Sequence, residues 1–515
     1  MATNNLFLLH HHLPTAQKSR RAANATAAAF SYQDFKIGKH PASHRAVKLA
    51  ESISHMLNLQ IEKTIQKNLE TSNSNISSFK EKHDTPTTSP KENISEKWRE
   101  IHGSGDWDGL LDPLHPWLRR EIVKYGEFAQ ATYDAFDFDS FSEFCGSCRY
   151  NRHRLFEKLG LASSGYAVTK YIYAMSQIDL PNWLKRSRLA DSWSSDSNWI
   201  GFVAVSDDAE SARIGRRDIV VAWRGTVAPA EWLDNMQQKL ETIGRGDAKV
   251  EHGFLSIYAS KCGTTRYNRS SASEQVMTEI KKLVDHYTRL GQRVSLTITG
   301  HSLGGALGLL NAYEAAKNFP TLPISVLSFA APRVGNIAFR DELYQMGVKT
   351  LRVTLRQDVV PRMPGIVFNE GLQRFDDITG ALEWVYTHVG VELKVDVRSS
   401  PYLKKGLNLI GFHMLETYLH LVDGFHSAKS DFRIESKRDL ALVNKDCDML
   451  VDELRIPPNW YQLANKGLVQ NHHGRWVKPE RDPEDIPSPT AESHANNIIQ
   501  VRDNQKFESL YGNSL

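Results

Sequence analysis

Ser302 stands in Thr299-Gly300-His301-Ser302-Leu303-Gly304-Gly305-Ala306, a Gly-x-Ser-x-Gly run in which a serine hydroxyl can act as a nucleophile. Glycines two before and two after the serine let the backbone turn more sharply than side chains allow, which lifts Oγ clear of the strand leading into it. A serine hydroxyl is a poor nucleophile at neutral pH. It needs a histidine to take its proton and a carboxylate to hold that histidine in the right tautomer. In a strand-turn-helix setting the acid follows the serine and the base comes last. The candidate acid is Asp358, in Arg356-Gln-Asp-Val-Val-Pro361-Arg-Met-Pro364. It lies just past a strand-like run ending at Leu355, in a segment that two prolines stiffen. Asp376 and Asp377 are weaker candidates because no strand precedes them. Downstream of the acid lie His388, His413, His420 and His426. His413 opens an apolar helical face of Phe412, Leu415, Tyr418 and Leu419, so at the first turn it can point into a water-poor site. His420, two turns on within that face, reads better as a hydrogen-bonded core histidine.

The negative charge of a tetrahedral intermediate needs donors. The N–H of Leu303, directly after the nucleophile, is one, and the helix N-terminus behind it favours charge of that sign. The other must come from an earlier strand-end loop, and Ala222-Trp-Arg-Gly-Thr226 supplies it: a strand halts at glycine and Thr226 offers both N–H and hydroxyl. Directly after it, Ala230 to Ile243 carries Trp232, Leu233, Met236, Leu240 and Ile243 at helical spacing, with polar residues largely opposite. That stripe serves ordinary packing or a lid in which Trp232, Leu233 and Met236 line the acyl pocket and meet lipid.

These groups need a frame. Val294 to Ile298 alternates and is β-branched, while Ala306 to Phe319 is rich in Ala, Leu, Glu and Lys, so the nucleophile turn joins a strand to a helix. Strand-like runs at Trp199–Val205, Ile219–Trp223, Ile324–Phe329 and Thr350–Leu355 alternate with helical ones, among them residues 273–290. An earlier helical spacing runs from Leu118 to Phe136. Repeated β-α order predicts an α/β fold with a mostly parallel sheet flanked by helices and the site beyond the carboxyl ends of its strands.

The 515 residues divide into an acid-poor leader (1–45), a linker with a weak amphipathic helix (46–97), the α/β body (98–473) and a polar, proline-rich tail (474–515) expected to be mobile. Residues 1–33 hold no Asp or Glu, and Lys18, Arg20 and Arg21 precede an Ala-rich stretch, the composition of an organelle transit peptide. With 63 basic and 60 acidic residues the chain lacks the charge of an electrostatic nucleic-acid binder. No apolar run reaches the roughly 18 residues of a spanning helix, so any membrane is met at its surface. The chemistry calls for no metal or organic cofactor. Cys145-Gly-Ser-Cys148 reads as packing residues or an incidental disulfide rather than a redox or zinc site.

Five segments in order, Trp223-Arg-Gly-Thr226, His252-Gly-Phe254, Gly300-His-Ser-Leu-Gly-Gly305, Phe329-Ala-Ala-Pro-Arg-Val-Gly-Asn336 and Asp358-Val-Val-Pro361, resemble the class 3 (fungal-type) lipases. Gly105-Asp-Trp-Asp-Gly-Leu-Leu-Asp-Pro-Leu114, Cys145-Gly-Ser-Cys-Arg-Tyr150, His413-Met-Leu-Glu-Thr-Tyr-Leu-His-Leu421 and Asn465-Lys-Gly-Leu468 are similar to the plastid-targeted plant class I phospholipase A1 branch. The resemblance spans roughly residues 100–480. It implies an α/β-hydrolase fold and hydrolysis of the sn-1 ester of phosphatidylcholine, with galactolipids and triacylglycerol as further substrates, at the surface of a plastid membrane. It also implies that His413 is the base. A lipase-like binding protein without catalysis and a soluble small-ester carboxylesterase are the competing readings.

Overall fold

The computed structural model describes residues 92–139, 142–175, 197–226, 240–244, 246–265, 267–364, 386–428, 430–433, 438–461, 469–470, 472–477 and 480–487. The body opens with a long helix α1 (Pro116–Asp134), whose first turn starts on a proline and is capped by the His115 ring accepting from the Trp117 N–H at 3.2 Å. Next come β1 (Tyr166–Met175), β2 (Ser197–Ser206), β3 (Arg217–Trp223), α2 (Ala272–Arg289), β4 (Val294–His301) and α3 (Leu303–Asn318). They are followed by β5 (Ile324–Phe329), β6 (Lys349–Leu355), β7 (Val391–Val395) and two consecutive helices, α4 (Leu409–His413) and α5 (Leu415–Gly424).

The seven strands lie side by side in chain order. From β3 to β7 every neighbouring pair is parallel, with α2 as the crossover from β3 to β4 and α3 as that from β4 to β5, whereas β1–β2 and β2–β3 pair antiparallel. The expected mostly parallel sheet is therefore present, and its entry is antiparallel. Neither β1 nor β7 was anticipated from the sequence.

Alternation along β3 sets the two layers. Val220 and Ala222 pack toward α1 and α5, with Phe128, Phe329, Val353 and Leu419, while Ile219, Val221 and Trp223 pack toward α2 and α3, with Ile280, Ile298, Leu303 and Leu307. With apolar helices on both faces, all of β3 is buried. Helix α2 begins at a reciprocal cap: Ser271 Oγ accepts from the Glu274 N–H at 3.1 Å, and Glu274 Oε2 accepts from the Ser271 N–H at 2.9 Å.

Helix α1 is tied tightly to the sheet. Tyr125 donates its hydroxyl to Asp218 Oδ2 at 2.7 Å, and its carbonyl accepts from Thr299 Oγ1 at 3.1 Å. At Gly126 a Cβ would lie 2.2 Å from Leu419 and 3.0 Å from Phe329, so glycine lets α1 sit down on both.

Several expectations are revised. The helical stripe drawn from Ala230 to Ile243 does not reach its end, because Leu240–Thr242 is a strand paired antiparallel with Lys249–Glu251, the chain turning at Gly244 (φ 81°) between them. Cys145 and Cys148 are not joined in a disulfide. Cys148 is buried against the Tyr171 hydroxyl at 3.3 Å, and burial pushes its thiol up to about 12. The tail is not free throughout. Arg481 reaches Asp137 at 2.6 Å, and Asp485 accepts from the Asn151 N–H at 2.8 Å, so its charged residues serve as anchors for residues 480–487. No helix among the described residues is long and apolar enough to cross a membrane.

Candidate active site

Three loops leave the same edge of the sheet. Trp223, Gly300 and Ser328 are paired in register across β3, β4 and β5, so the chain past β3 and the turn past β4 emerge side by side, and β6 ends on that edge at Leu355. The segments carrying Thr226, Ser302 and Asp358 follow directly.

Ser302 sits between β4 and α3 at φ 58°, ψ −126°, a conformation that a residue with a side chain adopts at a cost of about 1–3 kcal/mol. The flanking glycines explain how the turn closes. A Cβ on Gly300 would lie 2.3 Å from the Gly304 carbonyl, and one on Gly304 would lie 2.3 Å from the Trp223 carbonyl oxygen. The turn thus closes on itself and on the end of β3. A hydrogen bond from the Ser302 N–H to the Phe329 carbonyl, 2.9 Å, holds it from β5.

Asp358 and His413 are brought together. The His413 Nδ1 lies 2.7 Å from Asp358 Oδ2, and both side chains are buried. A carboxylate oxygen can only accept, so Nδ1 carries the proton and Nε2 keeps its lone pair, the state a general base requires. Tyr418 donates its hydroxyl to the same Oδ2 at 2.7 Å, and the Val360 N–H donates to Oδ1 at 2.9 Å. Three donors therefore hold the carboxyl group in place.

His413 is not in the first turn of the apolar helix, as its spacing suggested. It ends α4, and Met414 at ψ 131° separates it from α5, where Leu415, Tyr418 and Leu419 continue the apolar face. The break is stitched by Thr417, whose Oγ1 donates to the Gly411 carbonyl at 2.8 Å. His420 lies inside α5 with Nε2 2.8 Å from Ser400 Oγ, and burial holds its ring down at about 4. It is the satisfied core histidine that its position suggested. His388 accepts from Arg333 Nε at 3.3 Å, and burial together with Arg352 and Arg333 keeps it down at about 3. His426 contributes its carbonyl to the Leu114 N–H at 2.7 Å.

The loop that carries Thr226 is set against Ser302. A Cβ on Gly225 would lie 3.2 Å from Ser302 Cβ, so glycine permits the approach. Arg224, wholly buried with its guanidinium 3.7 Å over the Phe136 ring, donates to the Gly225 carbonyl at 3.0 Å and to the Trp199 carbonyl at 3.1 Å. The Gly225 carbonyl and the Thr226 N–H belong to one planar trans peptide and point opposite ways, so pinning the first aims the second. The Leu303 N–H opens α3 and has no helical carbonyl behind it.

Three polar atoms, Ser302 Oγ, His413 Nε2 and Thr226 Oγ1, are buried and make no hydrogen bond among the described residues. An unpaired buried polar atom costs about 1–3 kcal/mol, and these three sit on the residues that the sequence offers as candidate nucleophile, base and oxyanion donor. The arrangement can move a proton from a serine hydroxyl to an imidazole and stabilise the charge on an attacked carbonyl. Among the described residues no group of His, Cys, Asp or Glu is placed to hold a metal ion. Trp232, Leu233 and Met236, and likewise Asp376 and Asp377, lie outside the described residues.

Reading by sequence missed Tyr418, Arg224, Tyr133 and His301 as parts of the site. A serine-acid-base spacing says nothing of what grips each member. The one available signal was a tyrosine five residues after the base on the same apolar face.

The family model "Lipase (class 3)" matches residues 220–368. The chain is 46% identical over 406 residues to phospholipase A1-Igamma1, chloroplastic, of Arabidopsis thaliana, covering 75% of this chain and 79% of that one. It is 41% identical over 411 residues to phospholipase A1-II 4 of Oryza sativa subsp. japonica, covering 76% and 96%. Among solved structures, a lipase from Rhizopus microsporus var. chinensis matches 56% of this chain and 78% of its own at 21% identity, with a TM-score of 0.35.

Proposed function

This chain belongs to the plant class I phospholipase A1 branch of the class 3 lipase family, and on that basis we propose how it hydrolyses its lipid substrate. It is a lipid acyl hydrolase acting on carboxylic esters. Ser302 Oγ attacks the ester carbonyl at the sn-1 position of a phosphatidylcholine, and of galactolipids and triacylglycerol, while His413 Nε2 takes its proton. The oxyanion forms against the N–H groups of Leu303 and Thr226, with Thr226 Oγ1 beside them. The imidazolium, stabilised by Asp358, passes the proton to the departing glycerol oxygen, which leaves an acyl-Ser302 and the lipid short of one acyl chain. Water then gives a proton to His413 and attacks the acyl group, and the imidazolium returns that proton to Ser302 Oγ as the fatty acid leaves.

The observation that carries this reading is the 2.7 Å contact between His413 Nδ1 and Asp358 Oδ2, because it leaves Nε2 as a base beside the nucleophile turn. The substrate partner is a membrane glycerolipid met at the bilayer surface. A plastid location belongs to the same proposal, supported by the acid-free first 33 residues and by relatives whose names include "chloroplastic".

The test uses vesicles of phosphatidylcholine and of galactolipid, with fatty-acid release as the readout. Ser302→Ala abolishes release and fluorophosphonate labelling while the variant keeps the parent's circular dichroism. Undiminished release by that variant rejects the mechanism. Hydrolysis of soluble short-chain esters with none from vesicles would make the protein a small-ester esterase, and absence of labelling at Ser302 in the parent would make it a binding protein.

A further inference from the structure

One buried hydrogen-bond chain runs between the oxyanion loop and the base without touching either reactive atom. The Gly225 N–H lies 3.1 Å from the Tyr133 hydroxyl oxygen, which lies 2.8 Å from His301 Nδ1, and His301 Nε2 lies 2.7 Å from the His413 carbonyl oxygen. Its direction follows from what each atom can do. A carbonyl only accepts, so His301 Nε2 carries a proton and donates it to His413. Burial, and then the neighbouring His413, keep the His301 ring well below its ordinary range, so it is neutral and its Nδ1 is an acceptor. Tyr133 therefore donates to His301, and its oxygen is left to accept from Gly225. The hydroxyl's alternative acceptor, the His301 carbonyl, is more distant at 3.5 Å.

Three features make the chain a device rather than a coincidence of packing. The first is the break at Met414. In an unbroken helix the Thr417 N–H would take the His413 carbonyl, but it goes to the Met414 carbonyl at 3.1 Å instead, which frees the His413 carbonyl for His301. The second is Gly225, where a Cβ would lie 2.2 Å from the Tyr133 hydroxyl, so the donor approaches only as glycine. The third is α1, which reaches Tyr133 from a stretch locked to the sheet at Tyr125 and Gly126. The rings of His301 and His413 also meet at a centroid distance of 4.7 Å.

We infer that Tyr133 and His301 are positioning residues that hold the oxyanion loop, the nucleophile turn and the base in one frame through this directed chain. This rests on Ser302 being the nucleophile, so Ser302→Ala is the control. Removing a link lets the Gly225–Thr226 peptide and the His413 backbone settle independently, and a misplacement of about 1 Å at such a site costs on the order of a hundredfold.

The test measures p-nitrophenyl butyrate hydrolysis by full-length protein, normalised to sites titrated with a fluorophosphonate, so that misfolded molecules drop out. Tyr133→Phe keeps the ring and loses one hydroxyl, and kcat per titrated site is expected to fall about ten- to a hundredfold with KM within twofold. His301→Gln keeps an N–H for the His413 carbonyl and His301→Leu keeps none, so kcat per site is expected to order as parent, then Gln, then Leu. A purely structural role lowers the titratable fraction and leaves kcat per site unchanged. That result, or equal values for the Gln and Leu variants, overturns the inference. Residual turnover in Ser302→Ala would instead overturn the proposed mechanism.

Discussion

Replacing Asp358 by Asn changes one atom and tests the site's proton arrangement directly. In the parent, Oδ2 accepts from His413 Nδ1 and from the Tyr418 hydroxyl, each at 2.7 Å, and Oδ1 accepts from the Val360 N–H at 2.9 Å. An amide offers one accepting oxygen. If that oxygen serves Val360, the NH2 group faces the imidazole, and His413 must move its proton from Nδ1 to Nε2, where it can no longer take one from Ser302. If the amide flips, its NH2 meets the buried Val360 N–H, leaving a backbone donor unpaired at about 1–3 kcal/mol. The first orientation strands only the Tyr418 hydroxyl proton, so it prevails. Serine-protease triads lose on the order of 10⁴ in kcat when the acid becomes an amide, equivalent to about 5 kcal/mol of barrier, and a similar loss is expected here. Loss of charge-assisted bonds should also lower unfolding free energy by about 2–4 kcal/mol. The assay is fatty-acid release from phosphatidylcholine vesicles per fluorophosphonate-titrated site, with urea unfolding alongside. A variant that keeps more than about a tenth of the parent's kcat refutes the assignment of Asp358, since a tenfold loss is only about 1.4 kcal/mol of barrier.

Gly225→Ala places a methyl 2.2 Å from the Tyr133 hydroxyl and 2.6 Å from the His301 carbonyl oxygen, so kcat should drop about a hundredfold, with a stability loss of about 1–3 kcal/mol by urea titration. His420→Gln should keep kcat per titrated site close to the parent's, and a loss as large as that of His413→Ala would exchange the two histidines' roles. The same variant has a pH signature. Burial depresses the folded His420 from 6.5 to about 4, so the unfolded chain takes up the proton first and stability drains away as pH falls from 6.5 toward 4. His420→Gln loses that contribution, and its drop in unfolding free energy between pH 7.5 and about 4.5 should be smaller than the parent's by on the order of 2 kcal/mol. Ser302→Gly relieves the φ 58° conformation that Ser302→Ala retains, so the glycine variant should unfold later by on the order of 1 kcal/mol, measured by calorimetry or urea.

The turn at Ser302 and the place of Asp358 past a strand end were legible because their signals are local: glycines where a turn must close, and an aspartate between a strand end and prolines. The strands from β3 to β6 were legible for the same reason, as β-branched runs bounded by turn residues. The base was less so. Its place at the start of an apolar face put His413 ahead of the other downstream histidines, and the resemblance supported that choice. Its setting was misjudged because nothing in Phe412-His-Met-Leu-Glu416 discourages a helix. The break at Met414 answers to tertiary bonds made by His301 and Thr417. Tyr133 was invisible as a site residue since its partner His301 lies 168 positions away, and Tyr418, 60 positions from Asp358, showed only its spacing from the base. The strand Leu240–Thr242 was read as helix because its pairing partner, Lys249–Glu251, outweighs local preference.

The link between His301 and His413 spans 112 positions, and it bears on how the protein is made. While a chain is synthesised or threaded through a membrane, Ser302 exists well before a base is beside it, and no stretch ending short of Tyr418 carries the groups that orient His413. Hydrolytic competence belongs only to the finished fold. Under the proposed mechanism, a nascent or unfolded molecule passes along lipid bilayers without cutting them, and hydrolysis begins only where folding is completed.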